Sequence, residues 1–201
     1  MAIAAIGPGS AAGAGTSDPT GDAQVLAPDA GAAEPVRPAQ RGEIVGRAPR
    51  VIDGDTLEVR AEDGGLLRIR LAGIDAPEHE QPWGDAARIR LGTLVGDGPL
   101  RLRIVKQDRY GRSVADAWRG DTNLALAQLQ AGLAWHFRRY AAEQPRRQRQ
   151  AYAEAELEAR AARRGLWADA SPQAPWDWRR ARWDAGRGTG VETITGGPRT
   201  R

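Results

Sequence analysis

Leu66-Leu67-Arg68-Ile69-Arg70-Leu71-Ala72-Gly73-Ile74-Asp75-Ala76-Pro77-Glu78 is the stretch whose reading decides the fold. Its first six residues alternate, with Leu67, Ile69 and Leu71 on one side and Arg68 and Arg70 on the other. That is the two-residue period of a half-buried strand. Asp63-Gly64-Gly65 just before it is a turn, and Thr56 to Ala61 alternates in the same way, so the two runs form a hairpin. Glu43 to Val51 supplies a strand ahead of that pair. Leu100, Leu102 and Ile104, interleaved with Arg101 and Arg103, supply a fourth, and Ser113 to Trp118 a fifth, closed by Arg119-Gly120-Asp121. Five short strands at hairpin spacing indicate a small barrel and not a doubly wound sheet.

Three helices fit around these strands. Asp85 to Val95 is the first. Thr122 is the expected cap of a second, which runs to about Ala131 and stops at Gly132. The third spans about Arg146 to Arg164, with Tyr152, Ala155, Ala159 and Ala162 as a narrow packing stripe and Gly165 to end it. The expected fold is α+β, mainly β: a five-stranded barrel with three helices over residues 43–168.

The flanks differ in texture. Residues 1–42 hold 12 Ala, 7 Gly and 5 Pro without one aromatic, too little apolar surface to offset the entropy of ordering, and are expected to be disordered. The stretch Ala2 to Ile6 is mildly apolar but has no basic residues before it, and Gly7-Pro8-Gly9 cuts it short, so export is left open. Residues 169–201 form a Trp/Arg-rich tail around Trp176-Asp177-Trp178-Arg179-Arg180-Ala181-Arg182-Trp183. Such a segment can stack bases and meet phosphates, or fold back to cover the domain; the packing role is favoured. Thr189 to Arg201 reads as a frayed end.

Composition narrows the chemistry. The chain of 201 residues has no cysteine, which excludes disulfides, thiol nucleophiles and thiolate metal sites. Only His79 and His136 offer imidazole, so a metal here is bound mainly through oxygen. Lys106 is the sole lysine among 29 basic residues, and the rest are arginines, the side chain suited to two-point phosphate contacts. A GC-rich coding sequence gives the same bias. The formal net charge of +3 argues for no large single-sign field. No apolar run is long enough for a membrane span.

Three segments carry chemistry: Val51-Ile52-Asp53-Gly54-Asp55-Thr56, Arg70 to Glu78, and Asp108-Arg109-Tyr110-Gly111-Arg112. Each alone passes for a turn or a strand exit. In this order and on these strands, the sequence resembles the staphylococcal nuclease (thermonuclease) family over about residues 43–168. The resemblance implies that family's Greek-key barrel of the oligonucleotide-binding (OB) type, and calcium-dependent cleavage of phosphodiester bonds in DNA or RNA. Asp55, Asp75 and the backbone carbonyl of Ala76 match the metal ligands, for Ca²⁺ more than Mg²⁺, with Asp53 acting on the metal through water. Arg70 and Arg112 match the phosphate-gripping arginines and Glu78 the candidate general base. Tyr110 and Tyr140 match substrate tyrosines, while the family's other tyrosine position holds Arg138. The partners implied are DNA or RNA and no membrane, the protein a monomer. An extracytoplasmic location is implied over the cytoplasmic alternative. A barrel of this type that binds nucleic acid without cutting it is the competing reading. His79 and His136 are read as surface and packing residues.

Overall fold

The computed structural model describes residues 42–188. The expectations for the Ala/Gly/Pro-rich segment and for the chain end beyond 188 fall outside the described residues.

Strand β1 (Gly42–Val51) is long enough to serve two neighbours. Its first half pairs with β5 (Leu100–Gln107) and its second half with β2 (Thr56–Arg60). The register shifts between Arg47 and Arg50, and a shift of this kind bends a strand and increases its twist. β2 forms the expected hairpin with β3 (Leu66–Leu71), Thr56 opposite Arg70. β5 pairs with β6 (Ser113–Arg119), and β6 closes the barrel against β3 in parallel, Ile69 opposite Ser113 and Leu71 opposite Ala115. The result is a closed five-stranded mixed barrel, as the alternation predicts, and of the OB type that the resemblance implies.

The alternating pattern of β3 sorts its side chains as expected. Leu67, Ile69 and Leu71 lie in the core with Leu57, Val59, Leu100 and Leu102. Each such buried side chain contributes about 1.5–3 kcal/mol relative to exposure. On the opposite face the two arginines have different fates. Arg68 reaches across the hairpin to Glu58, Nη2 to Oε1 2.7 Å, and Arg50 of β1 meets the other oxygen, Nη2 to Oε2 2.5 Å. Burial pushes the Glu58 carboxyl up, but hydrogen bonds from Arg68 and Arg50 hold it below its ordinary range. This ladder ties three strands together, and Arg70 lies one pleat further on along the same face.

Helix α1 (Gly84–Val95) covers one end of the core with Ala87, Leu91 and Val95. The expected Thr122 cap is corrected: Thr122–Asn123 forms a short strand, β7, against Trp118 and Arg119. Helix α2 (Leu124–Gln130) is capped one residue later by Asn123, whose Oδ1 accepts the Leu126 N–H at 2.9 Å. Helix α3 (Arg146–Ala161) ends short of Arg164, and its stripe buries Tyr152, Ala155 and Ala159 but leaves Ala162 exposed. The helix count differs too. Two 3-10 turns (Arg138–Glu143 and Gly165–Ala168) and a fourth helix, α4 (Pro175–Gly188), join the expected three. α4 lies in the Trp/Arg-rich tail and folds back as the packing reading expects. Its Trp176 ring sits 5.5 Å from Trp135 and 5.6 Å from Phe137.

Gly54, in the Asp-Gly-Asp turn, is where helix and site loop meet. A Cβ there would lie 2.5 Å from Cβ of Ala87 on α1 and 2.7 Å from Cβ of Ala76. Gly54→Ala is therefore expected to destabilise the fold by about 1–3 kcal/mol through overpacking, read as a lower urea midpoint at constant slope. An unchanged midpoint would contradict this packing.

Candidate active site

Two chain reversals bring the acidic segments together. The turn after β1 presents Asp53 and Asp55, and β4 (Ile74–Asp75), held by a two-residue pairing with β8 (Trp135–His136), presents Asp75. Asp53 does not share a strand with Asp55. It lies in a bend, where its Oδ1 accepts the Asp55 N–H at 3.0 Å. Asp55 is buried and receives the Ala76 N–H on Oδ2 at 2.7 Å, which ties the two segments directly.

Arg70 joins the two carboxylates. Its Nη1 lies 2.9 Å from Asp55 Oδ2 and its Nη2 donates to Asp75 Oδ1 at 2.8 Å. The arginine side chain is 13% exposed and Asp75 only 2%. A second guanidinium, from α4, completes the cluster. Arg179 donates to Asp75 Oδ2 at 2.7 Å and also bonds Glu78 Oε1. The Trp/Arg-rich segment contains Arg179, but no motif had pointed to it as a partner of these acids. Its partners lie about a hundred positions upstream, and the only sequence signal was the i, i+3, i+7 placement of Trp176, Arg179 and Trp183.

Asp53, Asp55, Arg70, Asp75, Ala76 and Glu78 share the wall of one cavity of about 1100 Å³ with Arg112, Tyr110, Tyr140 and Arg179. Arg112 is anchored by its Nε to Asp108 Oδ2 at 2.7 Å, an arrangement that orients the rest of the guanidinium. Burial raises the Asp108 carboxyl, but the hydrogen bond from Arg112 brings it below its ordinary range. Tyr110 is exposed, with Arg109 Nη2 on its hydroxyl at 2.5 Å. The Tyr140 ring carries Lys106 Nζ 4.1 Å from its centroid. Arg138 is placed elsewhere: it bonds Glu156 Oε2 at 3.0 Å and lines a separate cavity of about 370 Å³. Arg139, the next residue, lines both that cavity and the main one. His79 is at the surface beside Asp85, and His136 is buried with Nε2 2.9 Å from Gln144 Oε1.

The electrostatics are those of crowded negative charge. Burial pushes the Asp53 carboxyl up to about 7 from an ordinary 3.8, and the neighbouring Asp55 carboxylate adds to the rise. Burial likewise raises Asp75, outweighing the bonds from Arg179 and Arg70. A carboxyl that binds its proton more tightly when folded contributes stability below its unfolded pKa and loses it as pH rises through its folded pKa. Without added metal, stability is thus expected to decline from pH 3.8 towards about 7 on account of Asp53. Asp53→Asn should flatten that slope and make the protein more stable than wild type at pH 8. Denaturation at pH 5 and pH 8 checks this, and parallel pH profiles for the two proteins would contradict it.

The same crowding bears on a metal. Clustered buried carboxylate oxygens, with no sulfur and no imidazole among them, are a donor set for a hard divalent cation, so the residues fit Ca²⁺ or Mg²⁺. Among the described residues no three of His, Asp or Glu are grouped to hold an ion by themselves. Two aspartates would need help from a main-chain oxygen, water or substrate.

A closed OB-type barrel, with an arginine-bridged carboxylate cluster in a cavity on its surface, is the class that fold and site define. The family model described as staphylococcal nuclease homologue matches residues 68–169, and the chain belongs to that family. It is 39% identical over 150 residues to a micrococcal nuclease of Shigella flexneri, covering 70% of this chain and 81% of that protein. It is 36% identical over 143 residues to an uncharacterized endonuclease of Escherichia coli O157:H7, covering 71% and 89%. It is 42% identical over 113 residues to a probable staphylococcal-like nuclease of Oryza sativa subsp. japonica. Of that rice protein's length the chain spans 29%, and the match takes in 56% of the chain.

Proposed function

We propose that this chain is a Ca²⁺-dependent endonuclease hydrolysing phosphodiester bonds of DNA or RNA, with Mg²⁺ the weaker candidate ion. The observation that carries the reading is the sharing of one arginine, Arg70, by two buried aspartates at the wall of a cavity that also holds Glu78 and Arg112. The names of the relatives point the same way. Asp55, Asp75 and the carbonyl of Ala76 would hold the ion, with Asp53 acting on it through water. When bound, Ca²⁺ supplies Lewis-acid stabilisation of the phosphate's growing charge.

The chain's own residues do the rest. Glu78 lies on the rim, 38% exposed, where its carboxylate can accept a proton from an attacking water or hold that water in line. Arg70 and Arg112 offer forked donors to the phosphoryl oxygens as the phosphorus becomes five-coordinate and the negative charge on them grows. Tyr110 and Tyr140 present exposed rings along the cavity for the nucleotide. Arg138 bonds Glu156 outside that cavity, so Arg139 is the better candidate for phosphate contact on that turn.

Purified protein is expected to degrade denatured DNA when Ca²⁺ is added and to stop when a chelator is added, followed by release of acid-soluble nucleotides. Protein that binds the DNA but leaves it uncut throughout Ca²⁺ and Mg²⁺ titrations would overturn the enzymatic reading in favour of a binding module.

A further inference from the structure

Helix α4 sets an arginine on the oxygens that the proposed function gives to the metal. Every anchor of the helix lies close to the site. Gln81 Nε2 donates to the Gln173 carbonyl at 2.7 Å, and Trp83 Nε1 donates to Asp169 Oδ2 at 2.9 Å, both just ahead of the helix. Ala174 is buried, and Trp176 packs on Trp135 and Phe137. Nearly two turns on, Arg182 bonds Glu80. Between these anchors Arg179 faces the cavity, with Nη2 2.7 Å from Asp75 Oδ2 and Nη1 3.3 Å from Asp75 Oδ1, and it also reaches Glu78. Asp75 thus spends both oxygens on arginines: Oδ1 receives Arg70 as well, and Oδ2 lies with Arg179. The contact is made by a helix docked on both sides of it, unlike a loose surface ion pair, and its acceptor is only 2% exposed.

We infer that Arg179 is an intramolecular competitor for the divalent cation: its guanidinium holds the Asp75 carboxylate that the ion would use, so α4 sets the metal affinity of the site. The inference rests on the assignment of Asp75 as a metal ligand made above. A carboxylate oxygen has lone pairs enough to serve a donor and an ion together, but two cations on one carboxylate repel each other, so the ion binds at full strength only when Arg179 has moved off. The cost of separating Arg179 from Asp75 and Glu78 is subtracted from the binding of the cation. Calcium binding is therefore weakened while the Arg179 head group sits on Asp75, and any change that loosens α4 tightens the metal.

The test is calorimetric titration of Ca²⁺ alone into the full-length chain, at fixed ionic strength and without nucleic acid. Wild type is compared with Arg179→Gln, Arg179→Ala, Arg180→Gln and Asp75→Ala, each checked for folding by circular dichroism. Arg180 is the control for charge. It neighbours Arg179 and carries the same charge, and its ion-pair partner is Asp177 at 3.8 Å. Both Arg179 variants should bind Ca²⁺ about tenfold or more tightly than wild type, Arg180→Gln should stay within about twofold, and Asp75→Ala should lose binding. Binding seen only after Arg179 is replaced would support the competition equally. Equal or weaker affinity in the Arg179 variants, with wild type binding normally, overturns the competition and leaves the metal assignment standing. An equal gain in Arg180→Gln also overturns it, by reducing the effect to net charge. Absence of Ca²⁺ binding in wild type and in both Arg179 variants, or undiminished binding in Asp75→Ala, overturns the metal assignment and the competition together.

Discussion

Arg70→Ala is expected to lower turnover on DNA by about a hundredfold or more, the usual cost of removing a donor aimed at charge that develops in the transition state. The side chain is 13% exposed and holds Asp55 and Asp75 at 2.9 and 2.8 Å, so its loss has a structural arm as well. Removing one partner of a buried ion pair typically costs about 3–5 kcal/mol, because the remaining charge is left buried without compensation. Here Arg179 still reaches Asp75, while among the described residues Asp55 keeps the Ala76 N–H at 2.7 Å and the Thr56 hydroxyl at 3.0 Å. Rates are therefore compared at temperatures where the variant is folded, with kcat and KM separated. A fall in kcat at unchanged melting behaviour in Arg70→Lys would isolate the chemical arm, since lysine keeps the charge and loses the fork. Wild-type rates in folded Arg70→Ala would remove the arginine from the mechanism.

Gly84→Ala should be among the most damaging single changes in the chain. Gly84 opens α1 against the backbone of the Glu78 loop, and a Cβ there would lie 1.9 Å from the Glu78 carbonyl oxygen and 2.9 Å from that of His79. These are main-chain atoms, which cannot swing aside as a flexible side chain can. The loop or the helix must move. The expected stability loss is about 3 kcal/mol, at the upper end of overpacking costs, and shows as a lowered melting temperature. Because the displaced segment carries Glu78, and misplacement of a reacting group by about 1 Å can cost on the order of a hundredfold, activity should fall even where the variant is fully folded. A Gly84→Ala protein with native melting temperature and native rates would show that helix and loop are not locked together.

The barrel was legible because its strands announce themselves locally. Leu67, Ile69 and Leu71 against Arg68 and Arg70 fix the core face of β3 by the strand period alone, and the Asp63-Gly64-Gly65 turn fixes its hairpin with β2. The candidate site was legible in part, since three short segments together resemble the family's active site and so marked Asp55, Arg70, Asp75 and Glu78, which the fold brings to one cavity wall. What escaped was tertiary. β4 and β8 are two residues each and exist only because each finds the other across some sixty positions, so no propensity window contains them. Thr122 has the chemistry of a cap but is taken into β7, which passes the role to Asn123. Arg138 follows the family's spacing yet turns to Glu156, a buried acid on α3 that no local pattern marks as its partner. Arg179 was the deepest omission. The tail around it reads as a nucleic-acid contact or, in preference, as a packing segment, and only the fold brings it onto Asp75.

The most direct test of the account is the rate of cleavage of a fluorescently labelled single-stranded DNA during a Ca²⁺ titration, run in parallel on wild type and Asp75→Asn. Wild type should cleave with a rate that rises and saturates with Ca²⁺, while folded Asp75→Asn still binds the DNA but cuts it at least about a hundredfold more slowly. Calcium-independent cleavage, or equal rates from the two proteins, would contradict it.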